Sequence, residues 1–402
     1  MTQHPLPSRR IRGINEGGSD GWEMFYRAKE MIAQGIPVLE LTIGEHDIKT
    51  DPAILDAMHA AARGGHTGYA SIPGIADLRA AVARRTERMT GVPTRAENVI
   101  VTPGAQAALF AAHQFVGDPG DRALFVDPYY ATYPGTIRAA GLVPVAVEAR
   151  AEDGFEPREE ALDAVAAGAR SLLVNSPNNP TGVLYGERTL AGIARVAERH
   201  DLWVISDEVY DSQVWEGRHL SPRAVPGLAE RCLVVGSMSK SHAMTGSRLG
   251  WVVAPESAIA LLWDLSTVTN YGIPGFIQDA GVFALALGDE FEARIAEPFR
   301  RRREITQRLL SRQQVVGLAP QRGAMYAMLD LRATGLSGIA FAERLLEEEQ
   351  VAVMPGESFG RAAAGHVRVA MTVADDLYEE ALGRILRLAD RLAAEARRAR
   401  AS

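Results

Sequence analysis

A primary amine set just behind a hydroxyl-rich turn is the most reactive grouping in this sequence. Gly236-Ser237-Met238-Ser239-Lys240 follows the apolar run Cys232-Leu233-Val234-Val235, and Arg248 comes eight residues later within Thr245-Gly246-Ser247-Arg248-Leu249-Gly250. An amine can condense with an aldehyde, while a serine hydroxyl and a guanidinium hold phosphate through charge-assisted hydrogen bonds. The loop therefore suits a phosphorylated aldehyde, against the plain alternative of an exposed lysine on a surface turn. Lysine is scarce: of 43 lysines and arginines only Lys29, Lys49 and Lys240 are lysine. Any chemistry that needs a side-chain amine has those three candidates.

Three further clusters follow apolar runs in the same way. Ser206-Asp207-Glu208-Val209-Tyr210 closes Leu202-Trp203-Val204-Ile205. A carboxylate there can pair with a ring nitrogen and keep it protonated, making the ring an electron sink, with Tyr210 free to donate to a ring oxygen. Asp207 as a helix cap is the bland alternative. Asn175-Ser176-Pro177-Asn178-Asn179-Pro180-Thr181-Gly182 reads either as a structural turn or as a loop aiming the Asn179 amide at that oxygen. Val101-Thr102-Pro103-Gly104-Ala105-Gln106-Ala107-Ala108 reads as strand, turn and helix, whose first backbone N–H groups can cradle a phosphate.

The elements that must position these clusters are legible as a pattern. Short β-branched runs at Val99–Thr102, Ala123–Asp127, Pro144–Glu148, Ser171–Asn175, Leu202–Asp207, Cys232–Ser237 and Gly250–Ala254 alternate with helical spacing such as Leu190 to Ala197. This predicts an α/β fold with a mostly parallel seven-stranded sheet between helices, and ligands bind beyond the carboxyl ends of such strands. From about Ile259 the pattern turns helical, with long runs at Gln278–Leu287 and Arg294–Gln314. A smaller α+β unit follows: strands at Ala324–Asp330, Val351–Met354 and Val367–Ala370, a helix at Gly338–Glu348 and a last helix over Asp376–Arg397. The expected division is a large domain over 49–285, a small C-terminal domain over 286–402, and an N-terminal segment, 1–48, packed on the small domain.

A chain of 402 residues exceeds one ordinary core. Its net charge of -7 disfavours a nucleic-acid partner, which demands a concentrated basic surface. The basic run Arg300 to Arg303 reads as an exposed helix face rather than a phosphate patch. The single cysteine, Cys232, allows no internal disulfide, fits a reducing compartment, and sits in an apolar run as a buried strand residue rather than a nucleophile. No apolar stretch of about 20 residues exists to span a bilayer, and the first fifteen residues lack the apolar region of a secretory signal, so the cytoplasm is expected. No metal site is expected.

Taken together and in this order, Asn179-Pro180-Thr181-Gly182, Ser206-Asp207-Glu208-Val209-Tyr210 and Ser237-x-x-Lys240 with Arg248 resemble the class I/II aminotransferases of fold-type I pyridoxal-phosphate enzymes, over nearly the whole chain. The resemblance implies transamination between an amino acid and a 2-oxo acid by a ping-pong mechanism, with pyridoxal 5′-phosphate as cofactor. It makes Lys240 the Schiff-base lysine, Asp207 the partner of the pyridine nitrogen, and Asn179 and Tyr210 the pair on the ring's phenolic oxygen. Ser237, Arg248 and the Gly104-Ala105-Gln106 turn match the phosphate site. Tyr130 matches the aromatic on the ring face, with Tyr129 one step off. Tyr69 looks like the tyrosine that reaches a neighbouring subunit's phosphate, which implies a homodimer with shared active sites. Arg368 matches the grip on the substrate α-carboxylate, and Gly44 a glycine lining that site.

Two departures bear on specificity. The family's frequent Gly-x-Pro-Asp is here Gly44-Glu45-His46-Asp47, where His46 reads as a packing or rim residue rather than a base. No Arg or Lys lies between Leu249 and Ala293, and the phosphate turn carries the neutral Gln106 where some members carry lysine. Burying a distal carboxylate without a cation costs several kcal/mol, so a preference for aspartate is not expected. Gly17 to Trp22 could form a lid, with Trp22 facing substrate or serving as a packing anchor. A carbon–sulfur β-lyase shares these motifs. The Ser-x-x-Lys spacing also belongs to penicillin-recognising acyl enzymes, but their Ser-Asp-Asn and Lys-Thr-Gly partners are absent.

Overall fold

The structure, a computed structural model, describes residues 5–15 and 21–401. The seven apolar runs form one sheet in the order Val99–Pro103, Leu249–Val253, Cys232–Ser237, Trp203–Asp207, Ala169–Asn175, Arg122–Asp127, Val143–Glu148. Within each strand, alternate residues face opposite sides. Leu124, Leu172, Val204 and Val234 enter one buried cluster, while Phe125, Leu173, Ile205 and Leu233 enter another. Both faces are covered, which is why these strands read as continuous apolar runs.

Four of the sheet's six pairings are parallel, in keeping with the mostly parallel sheet expected from the sequence, and one strand accounts for the other two. Leu249–Val253 runs antiparallel to both of its neighbours, and the other strands pair in parallel. The link from Ser237 to Leu249 holds only a short helix, Met238–Ser241, and a turn. That is too short for a crossover, which takes about a dozen residues or more. The consequence is functional: Lys240 and Arg248 both stay at the sheet edge where Asp127, Asn175, Asp207 and Ser237 end their strands.

The C-terminal unit has a four-stranded sheet in the order Met354–Pro355, His366–Ala370, Tyr326–Asp330, Gly317–Leu318, packed with helices Gly338–Glu349 and Asp375–Ala401. The run expected as one strand at Val351–Met354 is divided. Val351–Ala352 pairs in parallel with Leu39–Glu40, whereas Met354–Pro355 pairs with His366–Ala370. The first pairing ties the N-terminal segment to this unit, and Met24, Ala28 and Leu41 share its core. The helix Gly288–Leu310 starts earlier than its pattern suggests and contains Pro298. Its Phe291 and Ile295 join the core of the large sheet, and its Ala296 and Phe299 that of the small one.

The basic run on that helix is only partly an exposed face. Arg300 pairs with Glu297 and Arg301 with Asp375, but Arg302 is buried between Asp47 and Asp375, and Arg303 meets Glu216. Cys232 is fully buried, and burial raises its thiol pKa, so no nucleophile exists there. Among the described residues no helix is long and apolar enough to cross a membrane.

Candidate active site

A cavity of about 380 Å³ lies beyond the carboxyl ends of the central strands. Gly44, Ala105, Gln106, Tyr130, Asn179, Asp207, Tyr210, Ser237, Lys240, Arg248 and Arg368 all line it. Gly104 stands just behind, and Tyr69 lies elsewhere, 91% exposed, edge-on to Tyr271 at 5.2 Å.

One end of the cavity is built for an anion. Gly104 caps the helix Ala105–Val116 with a φ of 79°, a left-handed conformation that favours glycine. A Cβ on Gly104 would overlap the Arg248 guanidinium, and one on Gly250 would overlap the Gly104–Ala105 backbone. Bare backbone at both positions lets Arg248 meet the helix N-terminus, whose first N–H groups have no intrahelical acceptor. Arg248 is itself left-handed, φ 52°, and donates from Nη1 to Thr245 O at 2.9 Å. Ser237 caps the short helix that carries Lys240, accepting from Ser239 N at 3.0 Å.

Lys240 is half-buried, with Nζ donating to the Gly44 carbonyl. Burial lowers its pKa to about 8; Glu45 opposes the shift, while Arg368 and Arg248 add to it. A neutral amine is therefore accessible near physiological pH, as attack on an aldehyde requires. Asp207 ends its strand fully buried, with Tyr133 Oη donating to Oδ2 at 2.7 Å and Val209 N to Oδ1 at 3.3 Å. Burial raises its pKa to about 6, Tyr133 and Val209 pull it down, and Glu208 pushes it up. Asn175 Nδ2 fixes the strand end by donating to Asp207 O at 2.9 Å.

Opposite them, the Asn179 side chain spans two subsites. Its Nδ2 reaches Tyr210 Oη at 3.5 Å and Tyr326 Oη at 3.4 Å, while its Oδ1 accepts from Arg368 Nη1 at 3.0 Å. Arg368 is 1% exposed, lies 4.4 Å from the ring centroids of both Tyr326 and Phe359, and donates from Nη2 to Thr42 O. Among the described residues its Nε has no partner. An unsatisfied buried guanidinium N–H is costly and marks where a carboxylate fits.

The structure separates the two adjacent tyrosines. Tyr130 lines this cavity, whereas Tyr129 packs on Phe125 and lines a larger outer cleft of about 1180 Å³. Gln106 is turned aside, its amide tied to the hydroxyls of Thr136 and Thr132. His46 does not line the cavity. It packs edge-on to Phe299, neither ring nitrogen has a partner among the described residues, and burial lowers its pKa to about 4, so it is a packing residue. Trp22 lines both cavities; the rest of the lid expected over Gly17 to Asp20 lies outside the described residues.

Tyr133, Tyr326, Phe359 and Asn175 complete the site without having been read from the sequence. Asn175 ends an apolar run as Asp207 does, and that position was a usable signal. Tyr326 and Phe359 come from the C-terminal unit, and no local pattern links them to the cluster.

Comparison with known proteins is consistent over nearly the whole length. The family model for aminotransferase class I and II matches residues 36–385. An arginine–pyruvate transaminase of Pseudomonas aeruginosa is 40% identical over 393 residues, covering 97% of this chain and 98% of its own. The aspartate/prephenate aminotransferase of Thermus thermophilus is 37% identical, covering 96% and 99%. Among solved structures, the Thermus thermophilus aspartate aminotransferase with maleate superposes with a TM-score of 0.89 at 34% identity, covering 96% of this chain and 100% of that one. An aromatic aminotransferase from Pyrococcus horikoshii gives 0.84 at 32% identity, covering 90% and 99%.

Proposed function

Because this chain belongs to the class I and II aminotransferase family, we propose that it transfers amino groups between an amino acid and a 2-oxo acid with pyridoxal 5′-phosphate seated in the inner cavity. The observation that carries this reading is the placement of Lys240, Asp207 and the Ser237–Arg248 end around one cavity. The bare backbone at Gly104 and Gly250 and the buried Nε of Arg368, unpartnered among the described residues, fit a phosphate at one end and a carboxylate at the other.

When bound, the cofactor supplies an aldehyde carbon for amines and a cationic ring into which electrons of a breaking Cα–H bond can spread. Ser237, Arg248 and the N–H groups of Ala105 and Gln106 hold the phosphate. Asp207 holds the proton on the ring nitrogen, Asn179 Nδ2 and Tyr210 Oη donate to the phenolic oxygen, and Tyr130 covers one ring face. Arg368 grips the substrate α-carboxylate with its guanidinium, beside Gly44. Lys240 Nζ would hold the aldehyde carbon and, once free, would be the amine placed to take the proton from the substrate Cα. The exposed Tyr69, together with Tyr271 and the 80% exposed Val268, supports a homodimer in which Tyr69 serves the neighbouring subunit's phosphate.

The donor is not preferentially aspartate. Among the described residues the only cations lining the inner cavity are Lys240, Arg248 and Arg368, each with a role of its own. The outer cleft offers Arg138 against Glu23, Glu343 and Glu357, and Arg138 already donates to Ile14 O. A neutral or cationic side chain fits that lining better than a second carboxylate.

Borohydride reduction of the loaded protein, followed by peptide mapping, should label Lys240. A label on Lys29 or Lys49, or none, overturns the assignment. Mixing excess amino acid with the loaded enzyme should release one equivalent of 2-oxo acid per active site and stop until an acceptor is added. Continuous release of pyruvate and ammonia from a cysteine conjugate without acceptor would instead identify a carbon–sulfur β-lyase.

A further inference from the structure

The turn Asp207-Glu208-Val209-Tyr210-Asp211 has two sides. Asp207 and Tyr210, three residues apart, line the cavity; Glu208 and Asp211, also three apart, point away from it. The turn is tight, with Asp211 N donating to Glu208 O at 3.0 Å and Gln213 N to Tyr210 O at 2.8 Å. Moving either rear side chain therefore moves the front.

Both rear carboxylates are buried and both are held. Glu208 accepts from Ser206 Oγ at 2.8 Å, Ser221 Oγ at 2.6 Å and His219 Nε2 at 2.9 Å. Burial works against a charge on His219, but Glu208 and then Asp211 outweigh it and raise its pKa. Asp211 is held by Arg85, from the distant helix Ala76–Thr90, through Nη1 to Oδ2 at 2.6 Å and Nη2 to Oδ1 at 3.0 Å. The same guanidinium grips Glu292, at the start of the helix Gly288–Leu310, through Nε at 3.0 Å and Nη2 at 2.8 Å. A contact from Nη1 to Met89 Sδ at 3.1 Å completes its donors. Five N–H groups thus meet five acceptor contacts with the side chain 10% exposed. Only a planar fork can serve two carboxylates in this way; a lysine ammonium cannot.

Resting on the reading of Tyr210 given above, we propose that Arg85 is a positioning residue for the reaction, fixing the Tyr210 hydroxyl against the cofactor's phenolic oxygen by locking Asp211 from behind. The second fork, to Glu292, ties Arg85 to the helix shared by both cores and contributes to stability. Removing Glu292's charge leaves the Arg85–Asp211 fork in place, so the two halves of the network are separable by experiment.

The test compares Arg85→Lys, Asp211→Asn, Glu292→Gln and Tyr210→Phe, each loaded with pyridoxal phosphate. Three quantities are read: the pH midpoint of the visible absorbance change without substrate, the melting temperature, and kcat apart from KM. A donor withdrawn from an anionic oxygen raises that oxygen's pKa. Tyr210→Phe should accordingly raise the midpoint, and Arg85→Lys and Asp211→Asn should raise it by about half a unit or more in the same direction. They should lower kcat roughly tenfold with little change in KM. Glu292→Gln should lower the melting temperature yet leave the midpoint and kcat close to those of the parent. If Asp211→Asn and Arg85→Lys lose only thermal stability while Tyr210→Phe moves the midpoint, Arg85 is a structural buttress and the inference fails alone. If Tyr210→Phe leaves the midpoint in place, the assignment of Tyr210 fails and takes the inference with it. Should Arg85→Lys not fold, Asp211→Asn, which keeps the shape of the side chain, decides the question.

Discussion

Tyr133 Oη donates to Asp207 Oδ2 at 2.7 Å, and both residues are buried. Burial, aided by Glu208, drives the Asp207 carboxyl upward, the Tyr133 hydrogen bond is the largest influence holding it down, and the balance leaves it at about 6. A carboxylate serves a protonated ring nitrogen only when ionised, so cofactor affinity should fall as pH drops through the Asp207 pKa. Tyr133→Phe removes a donor to the ionised form, raises that pKa, and should shift the acid limb of cofactor binding to higher pH by about one unit. Titrating cofactor affinity between pH 5 and pH 8 by absorbance checks this, and an unmoved limb refutes it. Asp207→Ala should cost several orders of magnitude in turnover; a loss of tenfold or less counts against its role.

The Arg368 guanidinium is sandwiched between two rings and shares Asn179 and the Thr42 carbonyl. Arg368→Lys keeps the charge and loses the planar fork and most of the stacking. Charge-assisted hydrogen bonds contribute about 1.5–3 kcal/mol each, so loss of one should raise KM for every amino-acid donor roughly 10- to 150-fold, with a smaller change in kcat. Steady-state kinetics with two donors of different side chain measures this. A rise confined to one donor would place Arg368 in the side-chain pocket instead.

Gly104 leaves room for Arg248, and its φ of 79° is poorly tolerated by other residues. Gly104→Ala should weaken cofactor binding by about tenfold or more, through displacement of Arg248 and backbone strain of order 1 kcal/mol. Gly246→Ala, two residues before Arg248 but facing open space, is the matched control and should bind normally. Equal affinities for the two variants, measured by equilibrium dialysis, would remove Gly104 from the phosphate site.

Donor choice follows from the cavity lining. Aspartate should be a poorer donor, by kcat/KM, than alanine, methionine, phenylalanine or arginine. Gln106→Lys places a cation where the cavity has a neutral amide, and should raise kcat/KM for aspartate by about tenfold. A parent enzyme that already prefers aspartate would show that another cation, Arg138 foremost, turns into the site.

The site was legible in the sequence where function and secondary structure share one cue. Asp207, Ser237 and Asn179 each follow an apolar run that must be a strand, and parallel strands deliver their carboxyl ends to one edge. Lys240 stood out by scarcity, since only two other lysines could supply an amine. The short link between Ser237 and Leu249 kept Lys240 and Arg248 together, although the reversed direction of Leu249–Val253 was not read from its pattern. Alternation of side chains does not encode strand direction.

The sequence by itself therefore determined which runs form the strands of the large sheet and which residues follow the ends of its parallel strands, because each is a local consequence of a strand ending. Tertiary structure alone decided the rest. Tyr133 reaches Asp207 from a helix 74 residues away in sequence, Tyr326 meets Tyr210 across 116 residues, and Arg85 meets Asp211 across 126. Such pairs are fixed by how helices and the second sheet pack on the first. Packing is a property of the summed surfaces of many side chains, and no single stretch of chain carries it.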